Sequence, residues 1–67
     1  MSPREVHAVV NRVRSEFIEM PGLRLTLPQA ARLWGLDPPS CQTVIDMLVG
    51  AEFLRWTAAG MVARIES

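Results

Sequence analysis

"GLDPPSCQTVIDML", Gly35 to Leu48, decides the fold. Gly35 can take the left-handed conformation that ends a preceding helix, with Leu36 folding back as its apolar contact. Asp37 is a preferred N-cap, and Pro38 suits the first helical position. Cys41, Val44, Ile45 and Leu48 then recur at i, i+3, i+4 and i+7, one apolar stripe of a helix that runs to about Gly50 or Ala51. Two helices joined by so short a link make a helix-turn-helix connection.

Upstream, Thr26-Leu27-Pro28-Gln29 fits a capping box, and the helix it opens runs through Ala30, Ala31, Leu33 and Trp34. Ser2-Pro3-Arg4-Glu5 fits another. It opens a first helix over residues 3–20, with Val6, Val10, Val13, Phe17 and Met20 at helical spacing and Pro21-Gly22 as its stop. Between these helices "LRLT", Leu23 to Thr26, alternates apolar and polar and predicts a short strand. Downstream, "FLRWTAAGMVARI" places two β-prone runs around Thr57-Ala58-Ala59-Gly60. It predicts a hairpin pairing residues 53–56 with 61–65. A lone two-stranded hairpin is marginal, so the "LRLT" strand is expected to join it as a third. The expected class is α+β: one domain over residues 1–67, with three helices and a small antiparallel sheet.

Composition narrows the function. The chain has 67 residues, 49% apolar and 21% charged, which suits a small folded domain. No apolar run approaches a membrane span, and the polar N-terminal segment has no signal-peptide core. No membrane partner is expected, and the cytoplasm is the expected compartment. A single Cys, Cys41, excludes an internal disulfide, and with one His it cannot make a dedicated metal site. No paired acid and base, nucleophile constellation or phosphate loop emerges, so no enzyme and no cofactor are expected. Cys41 reads as a core residue and His7 as a surface one.

At this point "LTLPQAARLWGLDPPSCQTVIDMLVGAEFLRWTAAGMVARI", most of the chain, resembles the winged helix-turn-helix superfamily as found in small bacterial regulators. The residues that carry the likeness are the pattern T-x-x-Q-A-A-x-L-x-G-L from Thr26, V-I-D-x-L-V from Val44, and Phe53-Leu54. The resemblance implies a DNA-binding transcription regulator, with the third helix in the major groove and the hairpin wing on the backbone or minor groove. A minority of such folds bind proteins instead. The pattern departs at Glu52, where a Gly often stands; here the Gly comes two residues earlier, at Gly50. Either the third helix ends sooner or Glu52 carries a strained backbone angle.

On the third helix, Ser40, Gln42 and Thr43 are the candidates for reading bases, Gln42 by pairing with adenine. Arg24, Arg32, Arg55 and Arg64 are the candidates for phosphates, with Thr26 at a neutral helix N-terminus. Charge complicates this assignment. The chain nets zero, and residues 37–52 hold Asp37, Asp46 and Glu52 with no cation. Arg12 and Glu16 are spaced to pair along the first helix.

Trp34 is expected in the core. Trp56 and Arg55 must point to opposite faces of their strand. Facing inward, Trp56 packs under the wing and frees Arg55. Facing outward, it offers a partner an aromatic contact. The inward facing is the expected one. Two functions stay in view: double-stranded DNA binding, with a homodimer or larger complex to raise affinity, and a protein-interaction module using the neutral to acidic face of the third helix. Ile18 on the first helix is the hint of dimerisation.

Overall fold

Each helix begins with a short polar cap and a proline within its first two positions. The computed structural model describes residues 2–65. In order the elements are α1 (Pro3–Glu19), β1 (Arg24–Leu25), α2 (Leu27–Trp34), α3 (Pro38–Gly50), β2 (Leu54–Trp56) and β3 (Val62–Arg64). Ser2 and Glu5 exchange side chain and backbone at the start of α1. Thr26 and Gln29 do the same at α2. At α3 the Asp37 carboxylate accepts from the Ser40 N–H at 3.1 Å. Each cap satisfies N–H groups that the first helical turn cannot.

α2 and α3 end on the same hydrogen-bond pattern. After α2, Leu36 N–H donates to Ala31 O at 2.9 Å and Gly35 N–H to Arg32 O at 3.4 Å, with Gly35 at φ +68°. After α3, Phe53 N–H donates to Leu48 O at 2.9 Å and Glu52 N–H to Val49 O at 3.0 Å. Glu52 stands where Gly35 stands, at φ +60°. α3 therefore keeps its full length, and Glu52 takes the backbone angle that glycine tolerates and glutamate resists.

The sheet has the order β1-β3-β2, all antiparallel. Arg24 pairs with Ala63 and Leu25 with Val62. Leu54, Arg55 and Trp56 pair with Arg64, Ala63 and Val62. The hairpin turns on Thr57, whose carbonyl accepts from Gly60 N–H at 3.0 Å and whose N–H donates to Met61 O at 2.7 Å. Gly60 at φ +78° completes this three-residue loop.

The core forms where α1, α2, α3 and the inner sheet face meet. Phe17, Ile45, Leu48 and Leu54 are its largest fully buried side chains, and Cys41 and Trp34 belong to it. Met20 does not. α1 stops at Glu19, Met20 leaves helical geometry, and its side chain is 50% exposed. Three helices and a small three-stranded antiparallel sheet make an α+β arrangement consistent with a winged helix. Among the described residues, no helix is long and apolar enough to cross a membrane.

One polar network ties α1 to the end of α2. The Trp34 indole N–H donates to Glu16 Oε2 at 2.9 Å. Arg12 pairs with Glu16 at 3.6 Å, as its spacing predicts, and reaches the Leu33 carbonyl at 3.5 Å. That carbonyl is one the helix end leaves without an intrahelical partner.

Two substitutions check this account. Glu52→Gly is expected to stabilise the chain by about 0.5–1 kcal/mol in urea unfolding, because a left-handed residue with a side chain is strained. A loss of stability would contradict the role given to that angle. Glu16→Ala is expected to cost about 1–3 kcal/mol, because it leaves the indole N–H of a core tryptophan without its acceptor. A change within experimental error would show that the bond contributes nothing net.

Candidate nucleic-acid interface

The sheet register sorts the arginines. Arg24 and Arg55 flank Ala63 from its two sides, so the three residues form one row across β1, β3 and β2. Side chains alternate along a strand, and the buried Leu25 and Leu54 beside these arginines point inward. The row therefore lies on the outer face of the sheet. Arg24 and Arg55 are exposed, and two strand spacings set their backbones about 10 Å apart. Arg24 also lines a shallow depression with Arg32, Gln29 and Leu33. Arg32, Arg24 and Arg55 thus follow one surface from α2 across the sheet.

Arg64 lies elsewhere. As Ala63's neighbour on β3 it projects from the opposite face. Its guanidinium sits over the Phe53 ring, 5.5 Å from the centroid, and Arg14 of α1 approaches the same ring at 5.2 Å. These are cation–π distances. No spacing in the chain marks this cluster, since Arg14 and Phe53 meet only through packing of α1 beside the end of α3. The expected set of four phosphate arginines divides into three and one. Thr26 keeps its hydroxyl on Gln29 N–H at 3.3 Å and its own N–H on Gln29 Oε1 at 3.0 Å. A phosphate there has to open that capping box.

The three base-reading candidates are all engaged internally. Ser40 Oγ donates to Asp37 Oδ1 at 2.8 Å. Gln42 Nε2 donates to Asp46 Oδ1 at 2.8 Å. Thr43 Oγ1 donates to the Pro39 carbonyl at 3.1 Å. Nor do they form one row. At about 100° per residue, Ser40 and Gln42 fall on opposite flanks of α3. Ser40 and Thr43 border a shallow depression against Val6 of α1.

Trp56 shares the inner sheet face with Leu54 and Val62, so its direction is the expected one. It nevertheless stands at the end of β2, 39% exposed and outside the core. The expectation that it packs fully under the hairpin is corrected: the edge strand has nothing beyond it to cover the ring. Ile18 is exposed too.

Acidic groups concentrate on α3 and its ends. The Ser40 hydroxyl and N–H hold the Asp37 carboxyl below its ordinary range. That support is present above the ordinary carboxylate value and is lost as pH falls through the lowered one. Burial, and secondarily Asp37, push the Cys41 thiol upward. Among the described residues, no three His, Cys, Asp or Glu side chains group closely enough to hold a metal ion.

No family model, curated protein or solved structure matches the chain.

Cys41 gives a direct check on this packing. Buried, and with its thiol pushed upward, it is expected to react with a thiol-specific reagent at mildly alkaline pH far more slowly in the native chain than in denaturant. Equal rates would show that the α3 stripe opens freely.

Proposed function

We propose that this chain is a small winged-helix DNA-binding protein. The observation that carries the reading is the surface shared by Arg32, Arg24 and Arg55, exposed beside a helix-turn-helix. Guanidiniums suit phosphate oxygens because they are planar, permanently charged donors. A role in transcription regulation follows from the resemblance to small bacterial regulators and from fold-level analogy alone. The resemblance alone would put α3 in the major groove with Gln42, Thr43 and Ser40; the Ser40 hydroxyl and one Gln42 amide N–H are held by Asp37 and Asp46, so this part of the family pattern is not carried into the reading.

A second reading is a protein-interaction module. The exposed edge of Trp56 and the acidic face of α3 favour it, since each suits a protein surface better than a polyanion.

The test is an anisotropy titration of the chain against random-sequence duplex DNA at low salt. Binding is expected, with log K falling against log salt at a slope of about −3 for three phosphate contacts. No binding at concentrations well above ~10⁻⁴ M would overturn the DNA reading and leave the protein-interaction reading standing.

A further inference from the structure

We propose that the duplex lies on the face formed by α2 and the sheet, is held there by its phosphates, and is not read for sequence by α3. The inference rests on the DNA-binding reading and adds the surface and the mode.

Charge in this chain is separated by element. Residues 20–36, which contain β1 and α2, hold Arg24 and Arg32 and no acidic residue. Residues 53–65, which contain β2 and β3, hold Arg55 and Arg64 and no acidic residue. Between Arg32 and Arg55 there is no cation at all, and that interval is α3 with Asp37, Asp46 and Glu52. A duplex presents negative charge along both strands, so a polyanion placed on α3 meets like charge. On the α2–sheet face it meets Arg32, Arg24 and Arg55 and no acid from those elements. Arg24 and Arg55 have no carboxylate partner among the ion pairs of the described residues.

The polar groups of α3 point the same way. Base reading needs free donors and acceptors at the groove edge. One of the two Gln42 amide N–H groups is on Asp46 and the Ser40 hydroxyl proton is on Asp37, so each side chain is already oriented by a carboxylate of α3 or its cap. Releasing Ser40 also removes a contact that holds Asp37 at the α3 cap. On the sheet face, the row between the two arginines is Ala63, which offers no side-chain hydrogen bond to a base. Phosphate contacts position a protein and carry no sequence information directly. Binding through this face therefore has little sequence preference.

The experiment is the same anisotropy assay with several unrelated duplexes and five variants, each first checked for native thermal unfolding. Wild-type affinities for the different duplexes are expected to agree within about twofold. Arg24→Glu and Arg55→Glu, both at exposed side chains, are each expected to weaken binding roughly tenfold or more, and Arg55→Ala to reduce the salt slope by about 1. Gln42→Ala and Asp46→Asn are expected to change affinity by less than about twofold on every duplex. Wild-type binding that ignores Arg24→Glu and Arg55→Glu, but changes preference with Gln42→Ala, overturns this proposal and leaves DNA binding intact. Wild-type failure on all duplexes overturns DNA binding itself. Equal affinity for poly-glutamate assigns the face to an acidic protein and overturns the duplex as its partner.

Discussion

The pairing of β1 with β3 holds the rest of the molecule in place. It spans only Arg24–Ala63 and Leu25–Val62. Leu25 and Val62 close the core on one side, while Arg24 and Ala63, the latter buried between its strand neighbours, lie on the other. A slip of one residue would put Arg24 into the core and Leu25 into water. So short a strand cannot fix this register alone. It is tied down because Thr26, the next residue, already caps α2. α2 is in turn fixed to α3 through Gly35 and Asp37, and to α1 through the Trp34–Glu16 bond.

That register also creates the arginine row, so stability and the proposed interface share one cause. The zero net charge conceals a local pattern. The molecule measures 31 × 21 × 20 Å. At 0.1 M salt, exposed charges farther apart than about 10 Å are largely screened from one another. A ligand on the sheet face therefore meets the nearby arginines more strongly than the carboxylates of α3. The acidic residues of α3 have structural work instead. Asp37 starts the helix, and Asp46 holds Gln42 along it.

Much of the fold was legible because it rests on local chemistry. Ser2, Thr26 and Asp37 each cap within three residues of themselves, and Gly35 and Gly60 take the positive φ their positions demand. Even the ambiguity at Glu52 had two definite outcomes, and the left-handed one is found. The site was less legible because it depends on pairings between distant segments. No spacing rule places Arg64 over Phe53 beside Arg14, or separates it from Arg55 by a sheet face. Met20 continued the helical pattern, yet the chain had already left the helix. Trp56 pointed as expected and still remained exposed, because burial at a sheet edge depends on what lies beyond it. Ser40, Gln42 and Thr43 were chosen for what they could offer DNA. Their carboxylate and carbonyl neighbours within the helix compete for the same donors.

An amide NMR shift map of the chain, titrated with a short random-sequence duplex, locates the face that the duplex meets. The largest shifts are expected on Arg24, Arg32, Arg55 and Ala63, with the Ser40–Asp46 segment of α3 nearly unmoved. Shifts concentrated on Ser40, Gln42 and Thr43, with the sheet unmoved, would contradict this placement of the duplex.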